Sequence, residues 1–267
     1  MVEALDQQLM DEASGGVAMS KRGPVPGQTR TETHIEQERR ACTTPGGTAR
    51  FLVLIVSSLT AFSLVGQLAV HFAPDFVGRD WLAATFNLNH EANVPTLYST
   101  LAILGCAVLL HVIAGVEREA GGRWSRHWRL MSVIFVGLAA DEFLCFHEII
   151  NHRLHLPVLT WSWIAVGMVF VVAVGLIFLR MIAQLPSPTR GLFILAALIY
   201  LGGAIVMEMV ASQHIAEWGY DSLIYALCVT AEEFLEMMGI VVFIYALLTY
   251  LARDGRKVVL SWELRAQ

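Results

Sequence analysis

Apolar runs separated by short polar segments occupy most of the chain. Six of these runs are close to the roughly 20 residues that a helix needs to cross a bilayer. The pattern predicts an all-α integral membrane protein, with six transmembrane helices in a domain covering residues 50–253. The predicted spans are approximately 51–72, 95–116, 131–153, 157–180, 191–213 and 223–251.

Polar segments flank this domain on both sides. Residues 1–49 are rich in glycine, threonine and mixed charge and contain Pro24, Pro26 and Pro45. Such a composition buries too little apolar surface to fold, so we expect a disordered cytoplasmic tail. It has no early apolar segment typical of a cleavable signal peptide. Residues 254–267 are predicted to form a short cytoplasmic C-terminal tail.

The composition agrees with a membrane protein. The chain is 56% hydrophobic and 15% charged, whereas soluble domains carry roughly 25% charged residues. A formal net charge of −5 and the lack of a basic stripe argue against nucleic-acid binding. The four cysteines form no CxxC pair and therefore do not indicate a disulfide framework.

Basic residues define an orientation. Of the 18 lysines and arginines, all but Arg79 and Arg153 fall on one side of the six predicted spans, together with both tails. Positively charged loops remain in the cytoplasm. We therefore expect both termini to be cytoplasmic, in a bacterial inner or cell membrane.

Two acidic clusters interrupt the apolar spans. Asp141, Glu142, His147 and Glu148 lie in the third span, and Glu232, Glu233 and Glu236 lie in the sixth. An ionised side chain at the bilayer centre costs about 2.5–3.5 kcal/mol on insertion scales, which makes each cluster a functional-site candidate. Glu208 in the fifth span is a further candidate acid.

Grouped carboxylates require compensation by protons or by a cation. A divalent metal ion, of unknown identity, is one option because carboxylate and imidazole groups are common ligands. On a straight helix Asp141, Cys145, Glu148 and His152 share one face, while His147 points away. We expect the carboxylates of Asp141 and Glu232 to lie within about 5 Å of each other around one shared ion. The predicted metal set is Asp141, Glu142, His147, Glu148, His152, Glu232, Glu233 and Glu236.

The two clusters also suggest an internal repeat. Residues 140–144 and 231–235 match except for an Asp-to-Glu difference, and the pair Pro95-Thr96 recurs at similar spacing as Pro188-Thr189. Two three-span units would have opposite orientations, and such inverted repeats hold their sites near the midplane. Chance resemblance between apolar helices is the alternative.

Known motifs are absent from these segments. His147 and His152 are five residues apart, one too many for the zinc-binding HExxH motif. No pair of Glu-x-x-His motifs and no glycine-rich phosphate loop occurs.

Before the second span, residues 80–98 predict a short interfacial helix. The second span then begins with Asn93 as its cap and Pro95 in its first turn. We interpret Glu91 as part of this cap.

Three functions remain open from sequence alone. The first is a small-cation or proton-coupled transporter. The second is an intramembrane metalloenzyme that acts on a lipid-like substrate from the outer face, with Glu148 or Glu236 as general base. The third is a non-catalytic membrane subunit or sensor. The expected partners are membrane lipid and a small ion or lipid-like substrate, and the sequence leaves open whether the chain forms a homo-oligomer.

The predicted topology can be tested with reporter fusions. A reporter fused after Ala120 should be active in the cytoplasm, and one fused after Gln213 should be active on the outer side, because an odd number of predicted spans separates the two sites. Phosphatase and fluorescent-protein fusions measure the two locations. Any other combination would contradict the six-span topology.

Overall fold

A computed structural model describes residues 44–146, 162–219 and 222–253. Every regular element in these ranges is helical, which confirms the all-α prediction. A π-helical segment, Gly202–Met207, joins the sixth and seventh α-helices. In chain order the α-helices are α1 Pro45–Phe72, α2 Arg79–Phe86, α3 Val94–Glu119, α4 Ser125–Leu144, α5 Ser162–Gln184, α6 Ser187–Leu201, α7 Glu208–Trp218 and α8 Leu223–Arg253.

The first helix begins earlier than the sequence predicted. Thr44 is its N-cap, and the Thr44 side chain accepts a hydrogen bond of 3.1 Å from the backbone N–H of Gly47. Pro45 suits the first turn, where its missing N–H costs no hydrogen bond. Residues 45–49 thus belong to this helix, ahead of the predicted start of the membrane domain at residue 50. The rest of the predicted N-terminal tail, and the C-terminal tail, lie outside the described residues.

The segment before α3 confirms the predicted short helix and cap. The Asn93 side chain accepts a 3.2 Å hydrogen bond from the N–H of Thr96, and a proline occupies the first turn of α3. Helix α2 precedes this cap, and the two are joined by the loop 87–93. Local sequence signals were sufficient here because a cap is satisfied by residues three positions apart.

Among the described residues, five helical segments are long and apolar enough to cross a membrane. The chain is therefore an integral membrane protein, as its composition predicted. Their bounds are Pro45–Phe72, Val94–Glu119, Ala165–Gln184, Ser187–His214 and Leu223–Arg253.

The third predicted span differs from the observed helix. Helix α4 begins at Ser125 and ends at Leu144, and Cys145 adopts a left-handed backbone conformation with φ 54°. A left-handed residue interrupts a right-handed helix, so the prediction of an unbroken helix from 131 to 153 was wrong. Glu148 and His152, the remaining members of the predicted shared face, lie outside the described residues.

Helix α8 is the centre of the bundle. It contacts α1, α3, α6, α7 and the π-helical segment. Half of the most apolar stretch of α8 is buried inside the protein, whereas 11% of the corresponding stretch of α5 is buried. Helix α5 presents exposed side chains such as Val169 and Leu176, as expected of a peripheral helix that faces lipid.

Two glycines allow α8 to approach the segment Ser187–His214 closely. This segment corresponds to the fifth of the six predicted spans and is called the fifth span below. A Cβ atom added to Gly239 would lie 2.8 Å from the backbone nitrogen of Tyr200. One added to Gly203 would lie 2.7 Å from the carbonyl oxygen of Glu232. Neither contact tolerates a larger residue without a shift of the backbone. The order of these contacts also shows that the two spans run antiparallel.

Aromatic side chains join α4, α6 and α8 at the end of the bundle that is opposite to the start of α3 and α8. The rings of Phe135 and Phe243 stack with their centroids 5.0 Å apart. The ring of Phe193 meets Phe243 edge-on at 4.9 Å and Trp128 at 5.9 Å. These contacts fix the rotation of α8 relative to its neighbours. We call the opposite end of the bundle, where α3 and α8 begin, the Asn93 end.

Replacing Gly239 with alanine should destabilise the protein. The new methyl group would overlap the Tyr200 backbone, and overpacking typically costs about 1–3 kcal/mol. The thermal midpoint of the purified protein in detergent, followed by tryptophan fluorescence, should fall by about 2–4 °C per kcal/mol. Gly105→Ala is the matched control, because a Cβ at Gly105 meets no atom within 4 Å. An equal response of both variants would refute the close contact.

Candidate functional site

A small cavity lies between α3, α4, α6 and α8. Its volume is about 10 Å³, roughly the space of a single water molecule. Two carboxylates and two phenols contribute to its wall, and the remaining side chains are mainly apolar. We call it the acidic cavity. Its lining residues are Tyr98, Ser99, Ala102, Ile103, Glu142, Tyr200, Glu236, Met237 and Ile240.

The close packing of α6 on α8 brings Tyr200 and Glu236 together. Glu236 precedes Gly239 by one helical turn, and Gly239 lies against the Tyr200 backbone. The phenol of Tyr200 lies within hydrogen-bonding and electrostatic range of the Glu236 carboxylate. From the opposite side, α3 contributes Tyr98 and α4 contributes Glu142. Residues distant in sequence thus meet at one point because the helices cross there.

Further glutamates surround the acidic cavity. Glu233 lies within electrostatic range of Glu91, Glu142, Glu232 and Glu236. Glu232 in turn lies beside Glu208. All three acidic residues of α8 are partly buried. We refer to Glu91, Glu142, Glu208, Glu232, Glu233 and Glu236 as the glutamate cluster.

The structure distributes the predicted site residues unevenly. It brings Glu142, Glu232, Glu233 and Glu236 together, from two different helices. Asp141 is partly buried on α4, but it does not line the acidic cavity. The predicted metal ligands His147, Glu148 and His152 lie outside the described residues. Among the residues that the structure describes, no three His, Cys, Asp or Glu side chains are arranged to hold a metal ion.

Three residues near the acidic cavity were not predicted to belong to the site. Glu91 was assigned to a cap, yet its carboxylate accepts a hydrogen bond from the thiol of Cys145 and lies near Glu233. Tyr98 and Tyr200 were not singled out. A signal for Tyr200 was available, because membrane tyrosines concentrate at the interfaces, whereas Tyr200 lies well inside a span.

Unusual backbone conformations flank the cluster. Ala92 and Cys145, with φ of 57° and 54°, are the non-glycine residues with positive φ in the described ranges. Cys145 itself contacts Glu91, and Ala92 follows Glu91 in the chain. The left-handed region costs a residue with a side chain roughly 1–2 kcal/mol. Such strain tends to collect at functional sites.

The π-helical segment is a second irregularity. Residues 202–207 form it in the middle of the fifth span, and Glu208 follows directly. Its Gly203 packs against the Glu232 carbonyl oxygen. Single π-helical turns within longer helices occur frequently at functional sites. The segment therefore sets the position of Glu208 relative to Glu232.

A buried polar network lies beside the glutamate cluster at the Asn93 end. The Gln67 amide nitrogen is within hydrogen-bond distance of Ser63 Oγ (2.9 Å), Thr230 Oγ1 (3.0 Å) and Asn87 Oδ1 (3.1 Å). Ser63 Oγ also accepts a 3.0 Å bond from the N–H of Leu88. The network ties α1, the loop before α3, and α8 together one turn from Glu233.

Two polar atoms within this region have no hydrogen-bond partner among the described residues. They are the phenol oxygen of Tyr98 and Oε2 of Glu232, and both are shielded from solvent. A buried polar atom without a partner is costly. Tyr98 also lines the acidic cavity.

Thr230→Val should destabilise the protein more than Thr60→Val. Both hydroxyls donate to the carbonyl four residues earlier, at 2.8 and 2.9 Å, but only Thr230 also contacts Gln67 on another helix. Losing that contact leaves the buried amide with one partner fewer, at a cost of about 1–3 kcal/mol. Thermal midpoints in detergent measure the difference. Equal midpoints would show that the network contributes nothing.

Comparison with known proteins places the chain in a family. No curated protein and no solved structure matches it. One family, described as a domain of unknown function (DUF8692), has a model that matches residues 49–251. The match includes every residue that lines the acidic cavity and every member of the glutamate cluster. The chain therefore belongs to the DUF8692 family.

Proposed function

We propose that the protein is a small-cation or proton-coupled transporter, with its binding site at the acidic cavity. The observation that carries this proposal is the convergence of carboxylates from α4 and α8, with Tyr98 and Tyr200, on a space the size of one water molecule. Carboxylates inside a membrane protein mark ion pathways and proton relays.

The depth of the site supports transport. Glu236 lies about 20 Å along α8 from Leu223, at 1.5 Å per residue. The 31 residues of α8 extend over about 46 Å, close to the roughly 40–45 Å of a bilayer with its headgroup regions, so Glu236 lies near the middle of this helix. A midplane site is what alternating access requires, because both sides must reach it in turn.

The small size of the acidic cavity supports the transporter over the lipid-modifying enzyme. A space of about 10 Å³ admits a proton carrier, a water molecule or a bare ion, but not a lipid headgroup. The metalloenzyme alternative has Glu148 or Glu236 as general base, and Glu148, like His152, lies outside the described residues. No observation in the described ranges favours it over transport.

The proposed topology has six spans and cytoplasmic termini, with α4 contributing to the third span. Arg79 is an exception to the charge rule, but Asp75 and Asp80 pair with it at 2.6 and 2.8 Å. The hydrogen bond to Asp80 raises the pKa of Arg79. Its charge is therefore locally offset on the outer side.

An inverted repeat forms part of the proposal. Helices α3 and α4 pack as an antiparallel pair, and so do the fifth span and α8. In each pair the first helix starts at a Pro-Thr sequence and the second carries the matching acidic motif. An inverted repeat would place Glu142 and Glu233 on related helices from the two halves.

Transport can be measured with the full chain in proteoliposomes. With pH-, Na⁺- or K⁺-sensitive dyes inside, the matching imposed proton, Na⁺ or K⁺ gradient should drive a flux in the wild type. Glu236→Gln should abolish the flux, because it removes a carboxylate from the acidic cavity. Glu119→Gln, an exposed glutamate at the end of α3, is the matched control and should retain it.

Two results would overturn the transporter proposal. One is the absence of flux with all three gradients in a correctly folded protein. The other is a tightly retained transition metal in the purified wild type that is lost in Asp141→Asn with Glu232→Gln. Such a metal would favour the metalloenzyme.

A further inference from the structure

We propose that the end of the bundle opposite to the Asn93 end binds an anionic phospholipid, whose phosphate is held by Arg123 and Arg180 and whose acyl chain lies along α5. This inference concerns the lipid-facing surface and does not rest on the proposed transport. Three observations carry it: the charge of this end, the contacts of Trp124, and the exposed apolar face of α5.

Two connections rich in arginine meet at this end of the bundle. The N-cap of α4, Trp124, donates a 3.2 Å hydrogen bond from its indole N–H to Oε1 of Gln184, the last residue of α5. The ring of His127 on α4 also meets that of Phe178 on α5, with centroids 6.3 Å apart. The α3–α4 and α5–α6 connections are therefore neighbours. We call their arginines the arginine patch: Arg118, Arg123, Arg126, Arg129, Arg180 and Arg190.

The charges of the arginine patch are not compensated within the described residues. Five of the six side chains are exposed, and Arg190 is partly buried. In the described ranges none of the six forms an ion pair with a carboxylate, since the ion pairs found there belong to Arg79. Clusters of about four to eight basic residues beside a membrane helix are typical of binding to anionic lipids. The patch therefore favours an anionic partner.

Trp124 links the arginines of the two connections. The Arg123 guanidinium lies over the Trp124 ring, 4.5 Å from its centroid, and Gln184 fixes the indole N–H from the other helix. Arg180 precedes Gln184 by four residues and therefore lies on the same face of α5. Tryptophan is enriched at the headgroup level of a bilayer. These contacts favour a site at the membrane surface, between the two connections.

Arg180 lies at the depth expected of a lipid phosphate. The membrane-spanning part of α5 ends at Gln184, which is about 6 Å further along the helix at 1.5 Å per residue. The headgroup region of one leaflet is about 5–8 Å thick. An arginine at this depth extends its charged end to the interface, where its planar fork can form paired hydrogen bonds with a phosphate.

An exposed apolar stripe leads from Arg180 along α5 into the bilayer. Leu176, Ala173 and Val169 precede Arg180 by four, seven and eleven residues, a spacing that keeps them on one helix face. Leu176 is 68% exposed and Val169 is 71% exposed, whereas Phe178, on the side of the bundle, is 1% exposed. A free phosphate ion would leave this stripe uncovered. A phospholipid places acyl chains on it while its phosphate contacts the arginines.

The test is lipid-dependent thermal stability of the full chain in detergent, because a ligand that binds only the folded state raises the midpoint. Phosphatidylglycerol and phosphatidylcholine with the same dioleoyl chains differ in net charge, so the difference between their effects isolates the headgroup. In the wild type, phosphatidylglycerol should raise the midpoint by about 5 °C more than phosphatidylcholine. This excess should shrink when NaCl is raised from about 0.05 to about 0.5 M, because salt screens exposed charges.

Two double variants separate the site from net charge. Arg123→Gln with Arg180→Gln should abolish the excess, since it removes both proposed phosphate ligands. Arg50→Gln with Arg253→Gln is the matched control and should retain it, because it removes the same charge from exposed positions of α1 and α8. Each variant is compared with itself in the two lipids, so a change in its intrinsic stability cancels. If the first double variant does not purify as a monodisperse protein, Arg180→Gln is compared with Arg50→Gln in its place.

Five results would overturn the inference. The first is an equal effect of the two lipids on the wild type. The second is an equal effect of inorganic phosphate, which means an anion site without a lipid. The third is an unchanged excess in the variant of Arg123 and Arg180, and the fourth is an equal loss in the control. The fifth is a stable dimer in detergent that Leu176→Arg dissociates, because a second copy would then cover the stripe.

Discussion

The close contact between the fifth span and α8 is the constraint on which the site depends. Gly203 and Gly239 let the two backbones approach until a single added carbon would collide with the opposite chain. That approach places Tyr200 next to Glu236 and keeps the acidic cavity as small as one water molecule. In a bilayer the lipid tails are as apolar as the side chains, so helices associate through such close packing and through interhelical hydrogen bonds.

Polar groups inside the bundle meet across helices. Gln67 on α1 reaches Thr230 on α8 and Asn87 in the loop before α3, while the acidic residues of α8 share one region with Glu142 of α4 and with Glu91. The periphery shows the opposite pattern, since α5 is largely exposed and apolar. This inside-out distribution of polarity fits a bundle surrounded by lipid, in which polar side chains face the interior.

The irregular backbone of the described residues also gathers around the glutamates. Ala92 and Cys145 border the Glu91 contact, and the π-helical segment leads directly into Glu208. A purely apolar sequence could have formed a regular helix at each of these places. Departures from local preference that cluster around ionisable groups are typical of functional sites, and they explain why the straight-helix geometry assumed for α4 did not hold.

The sequence by itself determined the helical class, most of the apolar spans, the Asn93 cap and the presence of acids in two of the spans. These features depend on runs of apolar residues and on contacts three or four positions apart, which are visible in a linear pattern. Only the tertiary structure decided that Glu142 rather than Asp141 lines the acidic cavity, and that Tyr98, Tyr200 and Glu91 join the site. The rotation of each helix about its axis makes that selection, and it is set by glycine and aromatic contacts between residues far apart in the chain.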